Sequence, residues 1–170
     1  INIDFVAYVP KIPVRGETVL GERLEKFFGG KGANQAIASA KVGADTHFYG
    51  CVGNDIFGES LKRNLELNNV SSHIREIAGV SSGTALIAVD NTDNIITVVP
   101  GANAYLSDAD IPESVDGKDI LLCQLEIDQK IVREFFRRGR IAGATNIFNP
   151  SPFAALEQNI LEMVDIVIVN

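Results

Sequence analysis

Hydrophobic and polar positions along this chain switch between two periods, and the switches mark out its elements. Lys31 to Val42 puts Ala33, Ala36, Ile37 and Ala40 at helical spacing, with side chains small enough for that helix to lie close on a sheet. Thr46 to Val52 predicts a short strand. Asp55 is placed to N-cap a second helix, whose Phe57, Leu61 and Leu65 repeat every four residues on one face. Asp119 to Leu125 predicts a buried strand. Asp128 then caps a helix with Ile131, Val132, Phe135 and Phe136 as its inner stripe, and Gly139 is the expected stop. Thr145 to Asn149 reads as another strand and Pro150-Ser151-Pro152 as a turn. Phe153 to Val164 should contain an amphipathic helix leading into Asp165 to Asn170, expected as a fully buried parallel strand. Strands alternating with helices predict an α/β fold, a mainly parallel sheet with helices on both faces.

Two stretches break this rhythm. Val19 to Phe28 mixes apolar and charged residues without a helical stripe. Gly83 to Asp90 and Ile95 to Val99 flank Asn91-Thr92-Asp93-Asn94, a hairpin signature. Together they predict a small separate sheet projecting from the main layer, and a lid is one use for it. Ile1 to Val6 reads as the end of a strand running into a site, with no initiator Met. With a strand again at the other end, the expectation is an incomplete part of a larger protein.

Composition narrows the function classes. Of 170 residues, 46% are hydrophobic and 22% charged, enough to bury a core and unlike a disordered tail. Fifteen basic against twenty-two acidic side chains give −7 with no basic run, which argues against nucleic acid as a partner. Apolar runs such as Ile120 to Cys123 and Ile166 to Val169 are too short to cross a bilayer, and no signal-peptide pattern opens the chain. The expectation is a cytoplasmic protein with no membrane partner. Cys51 and Cys123 lie far apart in apolar segments, as small core residues rather than a disulfide or zinc framework. His47 and His73 lack a carboxylate-cysteine cluster of ligand spacing, so no metal site is expected. No G-x-S-x-G occurs, which removes the serine-hydrolase class.

The strongest local signal is Gly29-Gly30-Lys31-Gly32-Ala33-Asn34-Gln35-Ala36, a glycine turn opening a helix. Such a turn lets a ligand touch the backbone while the free N–H groups of the first helical turn point outward. It is neither a Walker A loop, because Gly32 follows Lys31, nor a dinucleotide fingerprint, because position 35 is Gln. A tight turn with a solvated lysine is the alternative.

This GGKGANQA, with NID at Asn2 to Asp4, PxxGET at Pro13 to Thr18 and GNDIFGE at Gly53 to Glu59, resembles the N-terminal half of the ribokinases, sugar kinases of the PfkB type. The likeness continues through the Thr84 to Val99 hairpin, PGAN at Pro100 to Asn103, QLE at Gln124 to Glu126, NPSP at Asn149 to Pro152 and VDIVIVN at Val164 to Asn170. It implies a ribokinase-like fold, with residues 1–170 as the N-terminal part of one domain and lid strands within about 5–28 and 83–99. It implies sugar contacts from Asn2, Asp4, Gly30, Lys31, Gly32, Asn34 and Glu126, and a nucleotide-site role for Asn170, the first residue of an Asn-x-x-Glu element. The family's general base lies in a later Gly-Ala-Gly-Asp segment that this sequence does not contain, so no catalytic residue is expected here and the chain alone should be inactive. The implied activity is ATP-dependent phosphorylation of ribose to ribose 5-phosphate with Mg²⁺. A monovalent cation such as K⁺ is a further implied cofactor, its residues lying beyond Asn170. Interlocked lids imply a homodimer, for which Leu86, Ile96 and Val98 offer apolar surface. Another PfkB-type carbohydrate or nucleoside kinase, or a non-catalytic sugar-binding or dimerisation module, are the alternative readings.

Overall fold

The computed structural model describes residues 1–157 and 159–169. Its strands are β1 (Asn2–Tyr8), β2 (Arg23–Gly29), β3 (Thr46–Gly53), β4 (Val70–Ile77), β5 (Gly83–Val89), β6 (Asn94–Val99), β7 (Ile120–Gln124), β8 (Thr145–Asn149) and β9 (Ile166–Val167). Three helices, α1 (Lys31–Lys41), α2 (Ile56–Leu67) and α3 (Gln129–Ala142), lie between them, and a 3-10 turn covers Gly101–Tyr105. The α/β class follows. β3 and β4 pair in parallel, and so do β7, β8 and β9. Among the described residues this parallel layer is in two pieces, separated by a groove of about 710 Å³ lined by β3, β7 and the Gly32–Ser39 side of α1.

The interrupting stretches form their own four-stranded sheet in the order β2-β1-β5-β6. Its turn is built by Asp90, whose carboxylate accepts from Thr92 N and Oγ1 and from Asp93 N, an arrangement that lowers its pKa to about 2. The pairing Leu86↔Thr97 sets Leu86 on one face with Phe5, and Ile87↔Ile96 and Ala85↔Val98 set Ile96 and Val98 on the other with Asp4 and Val6. The expected apolar surface of Leu86, Ile96 and Val98 is therefore divided between two faces.

Two of the three apolar clusters among the described residues set the helices on the strands. Ile3, Val52, Leu61 and Leu65 pack with Ala33 and Ala36 of α1, whose small side chains bring that helix onto the strands as its pattern predicts. Phe136 of α3 meets Phe148 of β8 edge-on, with ring centroids 5.6 Å apart, beside Leu121, Val132 and Ile160. Full burial of each such side chain contributes about 1.5–3 kcal/mol.

Three local expectations differ from the structure. α3 continues through Gly139 to Ala142 and ends at Gly143, whose φ of 79° forms the left-handed C-cap. Gly139 serves packing instead: a Cβ there would lie 2.2 Å from Asn146 Oδ1. Phe153 to Val164 forms only a 3-10 turn at Leu161–Met163 among the described residues, Gln158 lying outside them, although Leu156, Ile160, Met163 and Val164 of this segment all pack on the cluster of Phe136 and Phe148. Ile166 to Val169 is roughly half exposed or more, because β9 pairs with β8 on one side and no further strand covers it among the described residues.

Candidate functional site

The two glycines at the β2–α1 junction do different work. At Gly29 a Cβ would stand 2.1 Å from Asp4 Oδ2, so the Asp4 carboxylate lies directly over that residue's backbone. At Gly30 the backbone has φ 90°, and a Cβ would stand 2.7 Å from Ile1 Cα, so conformation and space both require glycine. Gly30 cannot cap α1 with a side chain, and the first turn carries no acidic residue. Glu126, just past β7, does so instead: its Oε2 accepts from Lys31 N at 2.8 Å, placing a carboxylate at the positive end of the helix. Glu126 is held in turn by its own N–H, which donates to Gln124 Oε1. Gln124 packs against Gly32, where a Cβ would be 3.1 Å from Gln124 Nε2, so Gly32 brings α1 close to the end of β7.

Asp4 feels this arrangement. Burial is the main force raising its carboxyl pKa, and the Glu126 carboxylate adds to it. Asp4 Oδ1 is buried and has no hydrogen-bond partner among the described residues. Asn2 shares the face of β1 with Asp4 and is 2% exposed. Its Oδ1 accepts from Asn103 Nδ2 at 2.8 Å, while the same nitrogen donates to Ile1 O at 3.0 Å and Asn103 Oδ1 accepts from Ile1 N at 3.1 Å.

Asn2, Asp4, Gly30, Lys31, Gly32 and Glu126 thus gather where β1 meets the start of α1. Lys31 is half-buried and forms no ion pair among the described residues. Asn34, one turn further on the same helix face, is exposed and enters the cluster only through its backbone N–H, which donates to Gly30 O. Asn170 lies outside the described residues. The residue that site reasoning from sequence missed is Asn103. Its signal is the Pro100–Asn103 segment, which belongs to the family resemblance.

Elsewhere, burial pushes the Cys51 thiol up to about 11 and that of Cys123 to about 12, which leaves both unreactive as thiolates. His47 Nδ1 lies 3.0 Å from His73 Nε2, with Tyr49 stacked on His73, on an exposed part of β3 and β4. Among the described residues there is no group of three or more His, Cys, Asp or Glu side chains able to hold a metal ion, and no helix long and apolar enough to cross a membrane.

This geometry has counterparts. The chain is 36% identical to the ribokinase of Mus musculus over 157 residues, covering 89% of this chain and 49% of that protein. The ribokinase structure from Giardia lamblia superposes with a TM-score of 0.89 at 31% identity, over 99% of this chain and 55% of the other. The Arabidopsis thaliana ribokinase complexed with ribose and ATP does so with a TM-score of 0.81 at 27% identity, over 99% and 57%. The chain spans about half the length of the curated relatives it matches. The model of the pfkB family carbohydrate kinases matches residues 1–170 in full, and the chain belongs to that family.

Proposed function

We propose that this chain is the sugar-binding and lid part of a ribokinase, which transfers the γ-phosphoryl group of ATP to the 5-hydroxyl of ribose. The observation that carries the reading is Asp4 Oδ1, a buried acceptor with no partner among the described residues, beside the Glu126-capped start of α1. A buried unpaired acceptor costs stability unless a donor reaches it, and a polyol supplies O–H donors in quantity. In this reading Asp4 and Glu126 accept from sugar hydroxyls. Asn2, Lys31 and Asn34 donate to them, and the glycines let the ring approach the backbone.

ATP would supply the phosphoryl group and Mg²⁺ would neutralise its charge; the side chains described here are placed for the acceptor sugar, and positioning of that acceptor is their share of catalysis. The β2-β1-β5-β6 sheet carries Asp4 on one face. As a lid it would exclude water, a competing phosphoryl acceptor. Phe27, Ile96 and Val98, exposed on that same face, support a homodimer through the lid.

Calorimetric titration of the chain with ribose tests the site, and ATP-dependent phosphorylation by the whole protein tests the reaction. Saturable ribose binding and preferential ribose phosphorylation are expected. A strong preference for fructose or a nucleoside would reject the substrate.

A further inference from the structure

We propose that Asn103 is a positioning residue that fixes which end of the Asn2 amide faces the sugar. The inference rests on the sugar-site reading above and adds a hydrogen-bond polarity to it. Asn103 is 5% exposed and makes three hydrogen bonds around the start of β1. Its orientation is not free. Oδ1 must accept, because it meets Ile1 N, and Nδ2 must donate, because it meets both Ile1 O and Asn2 Oδ1. The orientation of Asn2 follows: its oxygen is occupied, and its Nδ2 is left without a protein partner among the described residues.

The support around Asn103 is rigid. It sits in the Gly101–Tyr105 turn, which is pinned to the segment before β5 by Ala102 N donating to Ser81 O at 2.9 Å. The next residue in that segment, Ser82, is fully buried. Its N and Oγ both donate to the Asp55 carboxylate, and its Oγ accepts from Gly53 N. The Asn103–Asn2 bond then passes over Gly83, the first residue of β5, where a Cβ would lie 2.2 Å from Asn103 Nδ2 and 2.3 Å from Asn2 Oδ1. Only glycine leaves room for the two amides to meet.

The chemical result is a matched pair on one face of β1. Asn2 presents only donors and Asp4 presents an acceptor, two residues apart. A hydroxyl accepts and donates at once, so one hydroxyl of the sugar, or two adjacent ones, satisfies both side chains. Asn103 has no need to touch the sugar, and it acts through Asn2.

Three measurements on this chain test the inference. In the unaltered chain, ribose should shift the NMR signals of the Asn2 side-chain amide and leave those of the Asn103 amide in place. In Asn103→Asp the carboxylate can only accept, so Asn2 must turn and present its oxygen. Ribose affinity should fall about ten- to a hundredfold. At least one monodeoxy ribose, lacking the hydroxyl that accepts from Asn2, should bind the two forms equally well. If Asn103→Asp does not fold, Asn103→Leu and the titration of the unaltered chain still report on the amide. Equal ribose affinity in the variants, or an Asn2 amide signal that ribose does not move, would overturn the role of Asn103 while leaving the sugar site standing. Absence of ribose binding by the unaltered chain would overturn the site itself.

Discussion

Lys31 N donates to Glu126 Oε2 across 95 residues of sequence, so the first turn of α1 takes its cap from the end of a distant strand. Glu126→Ala should cost about 1 kcal/mol by removing this cap. Glu126→Gln keeps an acceptor, so it should retain most of that stability yet bind ribose more weakly. Chemical denaturation and calorimetry separate the two effects.

Asp4 should trade stability for binding. Its pKa is raised above 3.8 in the folded chain, so the folded state holds the proton more tightly than the unfolded one. The resulting stabilisation is present below the unfolded value and is lost as pH rises through the folded value. At pH 7 the ionised group is a cost, and Asp4→Asn should raise the melting temperature while abolishing ribose binding. A variant that melts lower at pH 7 would contradict this electrostatic picture.

Gly29→Ala directs a methyl group into the Asp4 carboxylate and should displace it, with loss of ribose affinity the main effect. Gly30→Ala combines an unfavourable φ with a backbone clash and should destabilise the fold by about 1–3 kcal/mol. Thermal melts beside titrations distinguish a damaged site from a damaged fold.

Asp110 has the opposite pH signature from Asp4. The Arg75 guanidinium, with Ser107 N and Oγ, holds its carboxyl down to about 2. The stability it contributes is present above the unfolded carboxylate value and is lost as pH falls through about 2. Asp110→Asn should therefore narrow the stability difference between pH 6 and pH 3, read from denaturation midpoints at the two pH values.

The two faces of the β2-β1-β5-β6 sheet should differ in self-association. Val98→Lys, on the face shared with Asp4, should shift the proposed dimer to monomers, whereas Leu86→Lys, on the opposite face, should leave it intact. Sedimentation velocity reads both. Dissociation by Leu86→Lys alone would place the contact on the wrong face.

Periodicity exposed the elements because α1, α2 and the strands around them bury one consistent face, and capping chemistry at Asp55 and Asp128 located two helix starts. It failed where a single long-range contact decides. Gly139 looked like a stop, but Asn146 fills the space above it, and no local pattern announces a partner beyond the helix. The division of Leu86 from Ile96 and Val98 depends on strand register, which composition does not carry. At the site, motif resemblance picked out Asn2, Asp4 and Glu126 singly. The bond from Asn103 to Asn2, made between residues 101 positions apart, became visible only once β1 and the 3-10 turn were in place.

The groove between β3 and β7 has a practical consequence. Among the described residues β3 pairs with β4 alone and β7 with β8 alone, so each turns its other edge toward the same cleft. Edges of this kind template foreign strands. In concentrated solution, precipitation of this chain should begin there, and hydrogen exchange should find those amides of Thr46 to Cys51 and Ile120 to Gln124 that point away from β4 and β8 fast in the soluble form and slow in the aggregate.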